Sequence, residues 1–510
     1  MNMRASPIFM ALIATFLSCM VLFSGKPAEG IIGINWGRQS SQRMIPSMVV
    51  DLLLQNEIQE ARIFTAADNV MAAFSGSGIG LSISLSNFVL HVINSSTVAE
   101  EWIQNSVTKF RSQNVDIRYV NVGVEPFSTT FTNKTYDNAV DVLKLIQNAL
   151  NNAGYGDIVK ATIPHYSDVL KQGIMKPSEA DFRDDIKAKM VEYLKFLREN
   201  NAPAMIDIYP IHYCRENDLD PDFAFFDKKS KFFVLDDNGL NYTNAFDFLY
   251  DSFYWAMRKA GTPDLRLVVG QVGWPTDGYP NANTTYAERF YKDLLPYVIG
   301  NKGTPLHPGM PIDVYIHSLS DENRLGIWYG GFQRHWGIYT SDGQPKFKID
   351  LSGKGRDIFP TTAKGITHMP KRWCIFNEDM SDMDIIKDEF DKACYNSDCS
   401  SLEPGGSCSH LSFKQNVSYA FNRYFQVKQQ RIHEKACNFQ GLGKVVPDDP
   451  STGTCIFPIE ILAAESADRG APFLGINGDQ FIRVSLLAML LPLLSFFLIS
   501  NSINVELFTK

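Results

Sequence analysis

The sequence predicts an α/β fold, a (β/α)8 TIM barrel followed by a small disulfide-rich, mainly helical domain. Short β-branched runs alternate with amphipathic helical stretches from Ile31 to Leu351, as a parallel sheet wrapped by helices requires. Eight such runs are present, the number that closes a barrel. That region holds a single cysteine, Cys214, whereas six fall between Trp373 and Cys455. The first part must therefore rely on an apolar core and the second on cross-links. Two stacked α/β domains would give the same alternation.

The strand candidates, in order, are Ile31 to Trp36, Glu60 to Phe64, Leu81 to Leu85, Ile117 to Gly123, Val159 to Pro164, Ala204 to Pro210, Leu265 to Gly270 and Asp313 to Ser320. Between the fourth and fifth, Ala139, Val142, Leu143, Ile146 and Leu150 recur at helical spacing. Lys144, Gln147 and Asn151 fall on the opposite face, and Gly154 marks the end. Ser352 to Arg372 is rich in Gly, Pro, Lys and Thr and reads as a linker. The six cysteines Cys374, Cys394, Cys399, Cys408, Cys437 and Cys455 contain no Cys-x-x-Cys pair, so disulfides are expected and zinc is not. Six cysteines allow fifteen pairings. Cys214, without a partner in the barrel, is expected as a free buried thiol.

Both ends carry targeting signals. Arg4, an apolar run from Ile8 to Phe23 and the small-residue pattern Ala28-Glu29-Gly30 read as a secretory signal peptide, residues 1–30. A second apolar run, Val484 to Ile499, follows a polar spacer, 458–483, with small residues between Ser466 and Gly478. This is the layout of a GPI-anchor signal with its tail at 484–510, a short transmembrane anchor being the competing reading. Asn94, Asn133, Asn241, Asn283 and Asn416 head Asn-x-Ser/Thr glycosylation sites, consistent with an extracellular monomer on the outer face of the plasma membrane and in the cell wall. A net charge of −8 over 510 residues, with no dense Lys/Arg run, argues against nucleic-acid binding. No cofactor is expected, and His165, His212 and His335 lack metal-ligand spacing.

A barrel places chemistry at the C-terminal ends of its strands. Glu125 follows the fourth candidate strand and precedes Pro126-Phe127; Gln271 ends the seventh. A retaining glycosidase needs two carboxyls about 5 to 5.5 Å apart, one to protonate the leaving oxygen and one to attack the anomeric carbon. Strands four and seven face each other across a barrel mouth, so residues there could supply such a pair.

The segments Ile32-Gly33-Ile34-Asn35-Trp36-Gly37, Gly76-Ser77-Gly78-Ile79, Ile208-Tyr209-Pro210, Val269-Gly270-Gln271-Val272-Gly273-Trp274-Pro275, Asp321-Glu322-Asn323 and Arg334-His335-Trp336-Gly337-Ile338 stand in the order found in plant β-1,3-glucanases. Residues 31–351 thus resemble glycoside hydrolase family 17. The resemblance implies Glu125 as general acid/base, Gln271 at the position of the nucleophilic Glu, and Glu322 as a carboxylate of the sugar cleft. Trp36, Tyr209, Trp274 and Trp336 are candidate sugar-stacking residues, with core packing as the bland reading for about half of them.

This chain departs from the family pattern at four positions. Gln271 stands for Glu, Val124 for the Asn that precedes the acid and in related barrels binds the sugar 2-hydroxyl, Asp207 for Asn, and Gln333 for Glu. An amide keeps the shape of the nucleophile but cannot form a glycosyl ester, a loss on the order of 10⁴ to 10⁶ in rate. With that charge gone, the Glu125 pKa is expected to fall. Asp207 or Glu322 could substitute only from within attacking distance of the same carbon.

Trp373-Cys374, Leu402 to Cys408, Ser418 to Asn422, Ala436 to Phe439 and Asp449 to Cys455 resemble the cysteine-rich β-1,3-glucan-binding module of plant wall proteins, carbohydrate-binding module family 43. The resemblance covers 373–457 and implies bridges Cys374–Cys437, Cys394–Cys455 and Cys399–Cys408. Two functions remain in view: an anchored endo-β-1,3-glucanase acting on callose-like glucan, and a catalytically impaired relative that binds the same polymer.

Overall fold

The computed structural model describes residues 29–131, 136–377 and 382–462. The signal peptide, the anchor tail, most of its spacer and Asn133 lie outside them.

The barrel strands are β1 (Ile32–Trp36), β2 (Glu60–Ile63), β3 (Gly80–Leu85), β4 (Ile117–Val122), β5 (Lys160–Thr162), β6 (Pro164–Tyr166) and β7 (Ala204–Ile208). A small hairpin, β8 (Val234–Leu235) and β9 (Asn241–Tyr242), precedes β10 (Leu267–Val272) and β11 (Asp313–Ile316). The sheet runs β5-β4-β3-β2-β1-β11-β10-β7-β6, every pairing parallel. The expected fifth strand is thus two segments: β5 pairs with β4 and β6 with β7, on either side of Ile163. Pro164 has no N–H to give to a ladder, so the strand changes partner there. With β5 and β6 forming one stave, the barrel has eight and is nearly closed.

Helix Ala139–Asn152 covers this region with Val142, Leu143, Ile146 and Leu150 buried, and Gly154 beyond its end has φ +78°. Gln147, expected on the polar face, is buried instead. Its Oε1 accepts the Ala161 N–H at 2.8 Å, satisfying a strand donor that a side chain pointing to water would leave orphaned.

The C-terminal unit pairs β12 (Trp373–Phe376) with β13 (Gly443–Val446) antiparallel. Against them pack helices Met383–Tyr395 and Phe413–Val427, the second opened by a Ser412/Gln415 capping box. Phe421 and Phe439 stack at 3.8 Å in its core. Cys374–Cys437 forms as expected, but the other bridges are Cys394–Cys399 and Cys408–Cys455. Cys394 lies in the last turn of its helix and the chain doubles back at once, bringing the Cys399 Cα to 5.3 Å. The Thr454 hydroxyl, donating to the Ser407 carbonyl at 2.6 Å, draws Cys455 to Cys408. Cys214 is free and buried, and burial raises its thiol pKa to about 12.

This unit docks on the barrel's rim loops. Arg334 pairs with Asp398 at 3.1 Å, His335 meets the Ser400 hydroxyl at 2.7 Å, and Ser407 donates from N and Oγ to Asp277. Burial alone would raise the Asp398 carboxyl, but His335, Arg423 and Arg334 hold it at about 2. The segment 352–372 is pinned along the barrel: Thr361 N donates to Asn56, Ala363 N to the Gly343 carbonyl, and His368 meets Asp342 at 2.8 Å. Asn94 and Asn241 are exposed, while Asn283 and Asn416 are half-buried. Among the described residues no helix is long and apolar enough to cross a membrane.

Candidate active site

Four strand ends supply the site. After β4 the chain turns through Gly123 (φ +82°) and Glu125 (φ +47°). A left-handed glutamate is disfavoured and persists only where its neighbours fix it. Asn87 does so, its amide clamping both the N–H and the carbonyl of Val124 at 2.8 Å, and Ser128 N donates to the Glu125 carbonyl.

In β10 the register slips between Val269 and Gln271, making Gly270 a bulge opposite β7. The Gly270 carbonyl accepts from Asn35 Nδ2 at 2.9 Å and Arg62 Nη1 at 3.2 Å. A Cβ on Gly270 would lie 2.6 Å from Asp207 Oδ1 and 2.8 Å from Arg62, so only glycine fits. The bulge extends the strand to Val272 and sets Gln271 beside Asp207 of β7.

Gln271 is held at both ends. Its Nε2 donates to Asp207 Oδ2 at 3.0 Å, and its Oε1 accepts from the Tyr209 hydroxyl at 2.9 Å. Asp207 is fully buried, paired with the equally buried Arg62 at 3.4 Å, and within hydrogen-bond contact of Glu125. The sequence-predicted Glu125 and Gln271 are thus both brought to one carboxylate. Glu125 Oε1 is buried without a hydrogen-bond partner among the described residues.

The Glu125 carboxyl nonetheless lies above its ordinary range. Burial, then the charges of Asp207 and Asp168, push it well above the usual carboxylate range, and Arg62 opposes only in part. Burial also raises Asp207, against Arg62 and the hydrogen bonds from Glu125 and Gln271. Of the two carboxyls, Glu125 is the one pushed well above its ordinary range.

An aromatic wall surrounds these groups. Tyr209 lies 5.3 Å from Trp336 and 5.8 Å from His317. His165, His212 and His317 are driven by burial to pKa values of about 3 and are neutral. A cavity of about 320 Å³, lined in part by Tyr166, Asp168, Tyr213 and Glu216, adjoins the site across the Tyr166–Tyr209 contact.

The other candidates separate. Trp274, only 2% exposed, is packed among Phe225, Tyr286 and Phe290 with Nε1 donating to the Asn281 carbonyl. Trp36 is buried against Phe74 and beneath the Arg38 guanidinium. Glu322 is buried against Gly37, whose missing Cβ makes room for it, and accepts the Gln39 N–H at 2.7 Å. It ties the loop after β1 to the loop after β11. Gln333 accepts from Tyr329 N.

Sequence reasoning missed Arg62, although a charge inside the apolar run of β2 was its signal, and Asp168, which accepts from Ser128 and from Thr129 N and Oγ1. It also missed two exposed aromatics: Phe88, 80% exposed, next to the clamp Asn87, and Trp328, 68% exposed, next to Tyr329. Tyr329 stacks on His212 and bonds Thr130 in the Glu125 loop.

Barrel, bulge and strand-end carboxyls define a protein of the glycosidase class. The chain belongs to glycosyl hydrolases family 17, whose profile matches residues 32–351, and an X8 domain matches 372–444. It is 41% identical over 440 residues to glucan endo-1,3-beta-glucosidase 8 of Arabidopsis thaliana, covering 86% of this chain and 90% of that protein. With glucan endo-1,3-beta-glucosidase 5 of the same plant it shares 39% over 471 residues, 91% and 95% of the two chains. Among solved structures, a beta-1,3-glucanase and allergen of Cryptomeria japonica pollen aligns with a TM-score of 0.60 at 30% identity, covering 63% of this chain and 99% of that one. The protein is therefore glucan endo-1,3-beta-glucosidase-like, with an X8 glucan-binding domain.

Proposed function

We propose that this protein binds cell-wall β-1,3-glucan in its barrel cleft and through its C-terminal module, and that its hydrolysis is strongly impaired. The observation that carries this reading is the amide of Gln271, engaged at Nε2 by Asp207 and at Oε1 by Tyr209. In a retaining mechanism Glu125 would give its proton to the leaving oxygen while a carboxylate attacked the anomeric carbon. Burial favours the protonated form of Glu125, but the group in the attacking position is an amide. Neither substitute fits: Asp207 has no exposed surface, and Glu322 is buried against the loop after β1. Val124, with its backbone clamped by Asn87, offers no polar group to a 2-hydroxyl.

The two terminal apolar runs and the glycosylation sites support an extracellular location with a GPI anchor at the membrane. The test uses the purified ectodomain. It is expected to bind laminari-oligosaccharides, seen by tryptophan fluorescence, while releasing reducing ends from laminarin near background. Hydrolysis at an ordinary glucanase rate that Glu125→Gln abolishes would establish the alternative, an anchored endo-β-1,3-glucanase.

A further inference from the structure

Asp207 and Gln271 are neighbours in register on β7 and β10, joined by a hydrogen bond that an ionised carboxylate at 271 could not donate. Arg62 of β2 is the cation that faces them, held by Asp207 Oδ1 and the Gly270 carbonyl. Around this pair stand Glu125 after β4, Asp168 after β6 and Tyr209 after β7, with neutral His317 after β11. The site thus holds one guanidinium and one carboxylate placed to pair with it, and that carboxylate lies a hydrogen bond behind position 271, out of reach of any ligand.

Resting on the reading that hydrolysis is impaired, we propose that Asp207 is a positioning residue that carries the site's negative charge in place of position 271 and orients the Gln271 amide. The two positions form one unit in which charge and amide are exchanged. Restoring a carboxylate at 271 alone sets two carboxyls at the 3.0 Å now spanned by a hydrogen bond, beside a third at Glu125. Like charges that close cannot both ionise. Asp207, next to Arg62, keeps its charge, so the new carboxyl takes the proton and cannot attack. Replacing Asp207 by Asn as well reverses the donor and acceptor across the same contact. The carboxylate at 271 then attacks the anomeric carbon as Glu125 passes its proton to the leaving oxygen. Water, deprotonated by Glu125, cleaves the resulting ester and regenerates both groups.

The experiment compares the wild-type ectodomain with Gln271→Glu, Asp207→Asn and the double variant. It measures laminarin hydrolysis between pH 4 and 8 and laminarihexaose binding by tryptophan fluorescence. The wild-type arm tests the impaired-enzyme reading by itself. The ratio of double to single variant tests the exchange: the double variant is expected to exceed Gln271→Glu on the order of 100-fold in kcat, with binding constants alike. Gln271→Glu should gain activity only as pH rises. Rates for the two within about 3-fold, or both at background, would overturn the assignment. Asp207→Asn alone supplies a readout without turnover. It should bind the hexaose and lower the pH midpoint of binding, because the Asp207 charge that raises the Glu125 carboxyl is gone; an unmoved midpoint, or loss of binding or folding, counts against it.

Discussion

Glu322→Gln is expected to stabilise the protein at neutral pH and to leave it unchanged in acid. Burial raises the Glu322 carboxyl to about 7 and the neighbouring Asp321 charge adds to this, while the Gln39 N–H opposes. Because the folded pKa lies above the ordinary 4.5, the native state binds more protons than the unfolded chain between those values. Stability is fully present below pH 4.5 and is lost as pH rises through about 7. The shift corresponds to about 3 kcal/mol at pH 8 as an upper bound. A glutamine keeps an acceptor for Gln39 N and fits the space above Gly37, but it has no charge to desolvate. Thermal unfolding followed by calorimetry should show the variant melting higher at pH 8, by up to about 3 °C, with coincident curves at pH 4. Equal destabilisation at both pH values would refute the linkage. Laminarihexaose titrations of the same variant separate this rim-loop role from a sugar contact, which would weaken binding at either pH.

Two further outcomes follow from the packing. Non-reducing peptide mapping should recover Cys394–Cys399 and Cys408–Cys455. Cys408→Ser should cost about 4 kcal/mol against about 2 for Cys394→Ser, because its bridge closes a far longer loop; a Cys394–Cys455 peptide would contradict the fold of this unit. Trp328→Ala should weaken laminarihexaose binding about 3- to 10-fold, as loss of one stacking face does, with no change in melting temperature; unaltered affinity would place the ring outside the glucan path.

The barrel was legible because its signal is periodic and repeated: eight apolar runs alternating with helical stretches leave few other arrangements. Glu125 and Gln271 were legible because a barrel puts chemistry at strand ends. The Glu125 pKa was not, since it depends on a side chain eighty-two residues further along the chain, Asp207, whose contact with it exists only across the closed sheet. The packing of Trp274 was not legible for a related reason: a tryptophan after a strand end looks the same in sequence whether its ring faces the cleft or Phe225. Pairing of the other four cysteines turned on one reversal after Cys394, a local event with no periodic signature. Trp328 sits in a turn and Phe88 in a single 3-10 turn, where pattern carries least.

The route of segment 352–372 bears on how two glucan-binding surfaces share one polymer. A slack tether would let the module search a sphere and add an effective local concentration for almost any bound chain. Here the connection is stitched to Asn56, Gly343 and Asp342, and the module is bolted to the rim through Asp277, Arg334 and His335. Bivalency is then governed by geometry: a glucan long enough to follow the fixed path gains from both surfaces, and a shorter one gains nothing from the second. On the proposed reading, affinity should therefore rise with glucan chain length in a step rather than smoothly.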